Sequence, residues 1–294
     1  RTGTGTLSLT VERSAAWHPQ VKPLLNIGGL VKYPMGNGGL VLNQLLIKPT
    51  ESVPENAQKK RAVTAALLRN LHATFAGGKV LAGSNLSFAP VPLGDQCNAF
   101  MTRDRGWFGG QRDIAHLPVG RQTLAGAVYQ ISDFRTSPVP SCVMLAGPGA
   151  RGNLPQTATV KIGAKADALY LLHTLNRAQE WRRQRPQDVA PTVFRYVVHY
   201  ADGQTAEVPV IYGEGVDHWI SANPTGLKSA ALAWCAPFPG DTGADQACLY
   251  QLAWTNPRPA AEIASIELAY GPDGSRWGTP ALLAVSVGNG KTGN

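Results

Sequence analysis

Hydrophobic and polar residues alternate between residues 194 and 210, and this pattern predicts two paired β-strands. Every second position from Phe194 to Tyr200 is aromatic or aliphatic, as expected for a strand with one buried face. The dipeptide Asp202-Gly203 follows, and it favours a tight hairpin because both residues tolerate positive φ. Alternation resumes over Thr205–Val210 on the returning strand. We therefore expect an antiparallel hairpin at the centre of a sandwich.

A second pattern precedes this hairpin. Residues 168–173 are apolar at almost every position, which is typical of a strand that is buried on both faces. The polar, basic insert Asn176–Val189 separates this strand from the hairpin, and we expect an exposed loop or a helical turn there. His173 ends the apolar run and is interpreted as a core histidine.

Short apolar segments with Gly, Pro and Asp turns between them recur from Leu86 onward, without a long helical pattern. Together they predict a mainly β fold for residues 86–294: an antiparallel β-sandwich or jelly roll. The further strands are expected near residues 99–101, 126–131, 142–145, 157–162, 229–235, 248–255, 262–270 and 281–287.

Residues 1–85 show a different pattern, which predicts a short α/β lead-in. Apolar runs at residues 28–33 and 39–46 flank Asn37-Gly38, a strong hairpin signal. A capping box at residues 52–55 precedes a helical face that extends to Phe75. A short strand is expected at residues 79–82. The parallel strands that a complete α/β domain requires are missing from this lead-in.

Composition and charge narrow the class of protein. Charged residues make up 16% of the 294 residues, with 32 Gly and 22 Pro, which is typical of loop-rich, all-β extracellular proteins. No run of about 18 apolar residues exists, so we expect no transmembrane segment. The start at Arg1 has the character of a processed or truncated end, and we expect an extracytoplasmic, periplasmic or secreted protein.

The net charge of +8 indicates contact with an anionic surface or an acidic polymer. The basic residues are scattered, however, so basic clusters on solvated loops are the alternative. No helix or strand concentrates the charge, and nucleic acid is therefore not an expected partner.

The four cysteines fit no zinc motif, because none of them forms a close pair. Cys235 and Cys248 flank a turn, and a hairpin would place them opposite each other. If the chain is exported, we expect a disulfide there and a second between Cys97 and Cys142. Four buried free thiols are the alternative.

The residue pattern favours binding over catalysis. Glycosidases need two carboxylates roughly 5 to 9 Å apart, and no such pair stands out among the acidic turn residues. No GxSxG elbow supports a nucleophilic serine.

Sugar sites combine aromatic rings with polar side chains that hold hydroxyl groups. Several tryptophans lie in polar or Gly-rich connections, where they either stack on a ligand or form a lid over the end of the sandwich. Two others, Trp234 and Trp254, lie within strand patterns and are expected in the core. The predicted ligand-binding residues are Trp107 with Arg105, Trp181 with Arg182 and Arg183, and Trp219 with Asp217 and His218.

No cofactor is expected apart from a structural calcium ion. Calcium in proteins is held by loop carbonyls and carboxylates. The aspartates that crowd the first loops are weak candidates, since no calcium-loop motif is present. They are Asp95, Asp104 and Asp113.

Four stretches carry a family resemblance. They are GGLVLNQL…NAQKKRAVTAALLRNL, RGWFGG…LPVG…VYQISDF, VKIGAKADALYLLHT…YVVHYADGQTAEVPV and LYQLAWTNPRPAAEIASIELAY…PALLAVSV. Together they resemble the C-terminal region of secreted bacterial glycoside hydrolases of the β-galactosidase-like kind. The first resembles the tail of a ThuA-like or glutamine-amidotransferase-like α/β domain. The others resemble a galactose-binding-like sandwich of the NPCBM group of carbohydrate-binding modules.

The resemblance implies two domains: a partial α/β lead-in over residues 1–85 and a galactose-binding-like sandwich over residues 86–294. It also implies a non-catalytic, carbohydrate-binding accessory region of an exported glycoside-hydrolase-like protein, with a glycan as ligand. The catalytic barrel of such proteins is not in this chain. Two alternatives stay open: a structural docking subunit of a larger extracytoplasmic or membrane-associated assembly, and a stand-alone glycoside hydrolase.

Overall fold

The fold was analysed in a computed structural model, in which the chain divides into two compact units, residues 1–74 and 75–294. The predicted domain boundary after residue 85 stays a prediction. The structure describes the backbone of a few strands in the first unit and most of the second unit with its side chains. The described residues are 22–23, 30–35, 38–43, 86–109, 112–150, 152–179, 190–238, 240 and 243–290.

The described strands of the first unit form an antiparallel three-stranded sheet in the order β1–β2–β3. They are β1 (Lys22–Pro23), β2 (Leu30–Met35) and β3 (Gly38–Asn43). Met35 pairs with Gly38, which confirms the hairpin predicted around Asn37-Gly38. The predicted helix over residues 52–75 and the predicted strand at 79–82 lie outside the described residues.

The second unit is an antiparallel β-sandwich, which confirms the predicted fold class. One sheet has four strands in the order β11–β10–β15–β8. The other has seven, with β12–β14–β9–β16–β4 as its main path, β13 beside β14 and β7 beside β16. The strands of this unit, including the separate β5–β6 hairpin, are β4 (Leu86–Val91), β5 (Gly120–Leu124), β6 (Ala127–Ile131), β7 (Val143–Met144), β8 (Thr157–Lys165), β9 (Ala168–Arg177), β10 (Thr192–Tyr200), β11 (Thr205–Ile211), β12 (Ile220–Ser221), β13 (Ala230–Pro237), β14 (Gln246–Thr255), β15 (Glu262–Tyr270) and β16 (Gly278–Gly290).

The alternating segment forms the β10–β11 hairpin as predicted. Phe194 pairs with Val210 and His199 with Thr205 across the two strands. Gly203 has a φ of 85°, which is the left-handed conformation that the turn requires. The aromatic side of β10 faces the core between the two sheets.

Strand β9 is buried on both faces, as its continuous apolar pattern predicts. Leu169 and Leu171 pack into the core between the two sheets. Tyr170 and Leu172 point to the opposite face and pack into a second core. This second core lies against the segment at residues 99–144, which contains the β5–β6 hairpin. The larger sheet is therefore the middle layer of the unit, and the apolar positions of β9 need no polar alternation.

The edge strands of the two sheets differ in whether they carry charged residues or proline. Strand β8 carries Lys161 and Lys165, and β11 contains Pro209, so both edges of the smaller sheet bear residues that disfavour pairing with another chain. Strand β13 has no charged residue, and within the described part of the chain it pairs only with β14. Its register shifts between Leu232 and Trp234, which is the mark of a β-bulge.

Helical structure in the described ranges is confined to 3₁₀ turns of three or four residues. They are Gly94–Gln96, Arg103–Arg105, Trp107–Gly109 and Gly274–Trp277. No helix among the residues that the structure describes has the length and apolar character needed to span a membrane.

The four cysteines are free thiols, so the two predicted disulfides are not formed in this structure. Cys235 and Cys248 do lie opposite each other in the β13–β14 register. Cys248 is buried in the core between the sheets, whereas Cys235 is exposed, so the two thiol groups occupy different environments. Cys97 and Cys142 pack against different cores. The opposition of Cys235 and Cys248 was predicted correctly, but the two thiols are not bonded in this structure.

Candidate functional site

Four polar side chains lie together at one end of the sandwich, where β9 ends and β10 begins. We call Arg177, Tyr212, Asp217 and His218 the rim cluster. Arg177 is the last residue of β9, and the other three belong to residues 212–219, which we call the rim loop. The rim loop runs beside the end of β9, because the Trp219 backbone N–H donates to the Leu175 carbonyl at 2.9 Å.

Glycines shape the rim loop. Gly213 has a φ of 75°, and its N–H donates to the Val216 carbonyl at 2.8 Å. The Gly215 N–H donates to the Ile211 carbonyl at 2.8 Å, so the chain reverses directly after β11. This tight reversal returns the loop to the end of β9 and places Asp217 and His218 beside Arg177.

Hydrogen bonds join the members of the rim cluster. The Arg177 guanidinium donates to the Tyr212 hydroxyl at 3.2 Å, and its backbone N–H donates to His218 Nδ1 at 3.1 Å. The Asp217 carboxylate accepts the His218 backbone N–H at 2.6 Å. Burial is the main cause that raises the pKa of Tyr212 well above its usual range, and a hydrogen bond to Asp217 raises it further. The phenol therefore stays protonated and acts as a donor.

This arrangement presents charged groups of both signs on a fixed backbone. Arg177, Asp217 and His218 are half-buried, and Tyr212 is buried beneath them. Nδ1 of His218 accepts the Arg177 backbone N–H at 3.1 Å and lies 3.3 Å from the Leu175 carbonyl, so the ring is fixed against the end of β9. The cluster thus offers guanidinium donors and a carboxylate acceptor within a short distance of each other, which suits a ligand that carries several hydroxyl groups.

The two predicted ligand-binding tryptophans that the structure describes are buried, whereas stacking on a ligand requires an exposed ring face. Trp107 is 0% exposed and Trp219 is 2% exposed. They come from distant parts of the sequence and meet edge-on, with ring centroids 5.7 Å apart. The indole N–H of Trp219 donates to the Asn176 side-chain oxygen at 3.2 Å. Both rings belong to the second core. Their burial agrees with the alternative interpretation, in which these tryptophans form a lid over the end of the sandwich.

The backbone at this aromatic cluster is strained. Phe108 has a φ of 44°, a conformation that bulky side chains rarely adopt. Its ring lies 4.3 Å from that of Trp107, centroid to centroid, and 5.7 Å from that of Trp219. Packing of the three rings holds this conformation in place.

The remaining predicted tryptophans and basic residues do not join the rim cluster. Trp234 and Trp254 pack half-buried against the two cores, which confirms their predicted core role. Arg105 is exposed, with its guanidinium 5.0 Å from the Phe100 ring and bonded to the Ser137 carbonyl. Trp181, Arg182 and Arg183 lie outside the described residues.

The three aspartates considered for calcium do not form one cage. Asp113 accepts backbone N–H groups from Arg103 and Ala115, both at 3.0 Å. Asp104 is exposed, and a hydrogen bond from Thr102 lowers its pKa. Asp95 is exposed in the first 3₁₀ turn. Across the described ranges, no group of three or more His, Cys, Asp or Glu side chains is placed to hold a metal ion.

Of the rim cluster, sequence reasoning predicted Asp217 and His218 as ligand-binding residues but not Arg177 or Tyr212. The available signal was the Gly-Glu-Gly sequence directly after Tyr212, which predicts a sharp reversal at the end of a strand. Comparisons with protein-family models, with curated proteins and with solved structures found no match to this chain.

Proposed function

We propose that this chain is a carbohydrate-binding accessory region of an exported glycoside-hydrolase-like protein, and that the rim cluster is where it binds its glycan. The observation that carries the proposal is the hydrogen-bonded series Arg177–Tyr212–Asp217 at one end of the sandwich. The resemblance of the sandwich sequence to galactose-binding-like modules supports it. The net charge of +8 is compatible with a glycan on an anionic surface.

The chemistry of the cluster fits neighbouring hydroxyl groups of a sugar ring. Each hydroxyl group both donates and accepts, so it is matched by a carboxylate on one side and a guanidinium on the other. The Asp217 carboxylate is anchored by the His218 N–H, and Arg177 is anchored by Tyr212, so little side-chain freedom is lost on binding. Trp107 and Trp219 support the site from below rather than contacting the sugar, because both are buried.

A glycan array with the full chain, followed by titration calorimetry on the best glycan, tests the proposal. Asp217→Asn and Arg177→Met should each weaken binding at least tenfold, which corresponds to about 1.4 kcal/mol. The matched control is Asp202→Asn, which makes the same change in the β10–β11 turn at the opposite end of a nine-residue strand. That distance is roughly 30 Å, so the control should bind as the wild type does. Absence of binding to any glycan, or equal affinity of the three variants, would refute the proposal.

The second candidate function is a structural docking subunit, and the uncharged strand β13 favours it. Within the described residues β13 pairs along one edge, and its Leu232 and Trp234 are half-exposed. These features suit an extended, uncharged strand of a partner subunit. Ala231→Lys places a charge on this strand. Loss of a native complex with Ala231→Lys, but not with the exposed control Thr159→Lys on β8, would support docking through β13. A monomer in both the wild type and the variant, with no partner retained, would count against it.

A further inference from the structure

A buried histidine connects the sandwich core to the rim loop. His173 lies on β9 and is 0% exposed. Its Nδ1 lies 2.9 Å from the hydroxyl of Tyr196 on β10, and its Nε2 lies 3.0 Å from the Gly215 carbonyl in the rim loop. One side chain thus touches both sheets and the loop that carries Asp217 and His218.

The two contacts determine which nitrogen of the His173 ring carries the proton. A carbonyl only accepts hydrogen bonds, so Nε2 carries the proton and donates it to Gly215. Nδ1 of the neutral ring then accepts the proton of the Tyr196 hydroxyl. Both ring nitrogens are therefore satisfied while the ring is neutral, and burial lowers the pKa of His173 to about 4.

Among the core residues that the structure describes around the ring, none carries a countercharge. Its cross-strand neighbours are Tyr250 on β14 and Leu282 on β16, and Phe194 on β10 contacts the ring edge-on. The titratable groups on this face are Tyr196, Tyr250 and Cys248, and burial raises the pKa of each, so all three are neutral in acid. The titratable groups of the rim loop are Tyr212, Glu214, Asp217 and His218, with Glu214 bound to Lys228 at 2.9 Å.

An apolar side chain would fill this position without the cost of burying an imidazole. What the imidazole adds is the bond to Gly215, two residues before Asp217. Protonation of the ring in this core is least costly if the rim loop moves away and admits water to Nε2, because the loop lies at the end of the sandwich, whereas β9 and β10 are each paired along both edges.

We propose that His173 is a positioning residue that holds the rim loop in its binding geometry, and that protonation of its ring in acid releases this loop while the two sheets remain folded. The link to ligand binding rests on the proposed function. The motion of the loop does not, and it is measured without a ligand.

Hydrogen exchange followed by mass spectrometry on the full chain between pH 7 and pH 4 tests this proposal, with rates corrected for the intrinsic pH dependence of exchange. Protection of peptides that cover residues 212–219 should fall at least tenfold over this range. Peptides from β10 and β16 should keep their protection.

Two variants isolate the role of the ring. His173→Gln keeps an N–H donor and an oxygen acceptor but does not titrate, so its rim loop should stay protected at both pH values. His173→Leu removes both bonds, so its rim loop should exchange rapidly even at pH 7. If the leucine variant does not fold, Tyr196→Phe serves instead, because Nδ1 then loses its donor and the acid response should begin at a higher pH.

The proposal is overturned if the wild-type loop and strands lose protection together, or if His173→Gln responds to acid as the wild type does. A glycan affinity that does not change between pH 7 and pH 4 would also overturn it. Acid release of the loop in a protein that binds no glycan would instead refute the proposed function and leave the role of His173 intact.

Discussion

Replacing Asn256 by aspartate should destabilise the sandwich strongly at neutral pH and much less in acid. Asn256 is a buried residue directly after β14. Its side-chain oxygen accepts the Tyr200 hydroxyl at 2.6 Å and the Arg258 N–H at 2.9 Å. Its amide nitrogen donates to the Ala166 carbonyl at 2.8 Å and to the Arg258 carbonyl at 3.1 Å. All four bonding positions of the amide are in use.

The size of the expected loss in the free energy of unfolding follows from these four hydrogen bonds. In Asn256→Asp, one carboxylate oxygen keeps both acceptor bonds, but the other faces two carbonyl oxygens without a proton between them. Each buried acceptor that loses its donor costs about 1–3 kcal/mol, so the expected loss at pH 7 is about 3–5 kcal/mol. Protonation restores one donor and about half of that loss.

The sign of the pH dependence is fixed by the same contacts. Burial and the two carbonyls raise the folded-state pKa of the new carboxyl above its unfolded value of about 3.9. The folded variant therefore binds more protons, and its stability relative to wild type falls as pH rises above about 4.

Urea unfolding of the full chain at pH 3.5 and pH 7, followed by the fluorescence of the buried tryptophans, measures the effect. At pH 7 the urea concentration at the unfolding midpoint should fall by about 1–2 M. This value follows from a slope of about 2–3 kcal/mol/M for the free energy of unfolding against urea concentration. Asn223→Asp makes the same change at an exposed position and should leave the midpoint almost unchanged. An equal loss at both pH values, or a loss below 1 kcal/mol at pH 7, would refute this account of Asn256.

Three further predictions concern single side chains. Ala125 has a φ of 45° before Gly126 at 86° in the β5–β6 turn, so Ala125→Asn should raise the free energy of unfolding by about 1 kcal/mol in a urea titration, whereas Ala125→Val should lower it. The hydrogen bond from Arg258 lowers the pKa of Asp202 to about 2, so its contribution to stability is present above pH 4 and is lost as pH falls through 2. An NMR titration should show the Asp202 midpoint returning towards 4 in Arg258→Met, and an unchanged midpoint would contradict the pairing. Maleimide labelling of the folded chain should modify the exposed Cys235 first and the buried Cys142 only after unfolding; early labelling of Cys142 would contradict its burial.

The sandwich was predictable because local patterns determine its strands. Alternation in β10, the Asp202-Gly203 turn and the continuous apolar run of β9 each follow from the two-residue period of a strand. The strands near residues 126–131 and 142–145 were predicted, but not that residues 99–144 form a separate layer against the larger sheet. Its Gly-rich 3₁₀ turns around Trp107 have no periodicity, and only the second apolar face of β9 indicated that something must cover it.

The candidate site was predictable in part. Asp217 and His218 were identified because polar groups next to an aromatic residue in a loop are typical of binding sites. The side on which Trp219 lies was not, because the depth of a loop residue depends on packing between segments distant in the chain. The same limit applies to Cys235 and Cys248: the hairpin predicts that they lie opposite each other, but not that Cys248 is buried while Cys235 is exposed.

The position of β16 has a consequence for how the chain is made. This strand pairs with β9 along one edge and with β4 and β7 along the other, so it joins parts of the sequence that are translated far apart in time. Until residues 278–290 leave the ribosome, β4 and β9 have apolar surfaces and open backbone groups with no partner between them. A nascent chain halted before residue 278 therefore leaves these surfaces exposed, and the larger sheet is complete only after nearly all of the second unit has been synthesised.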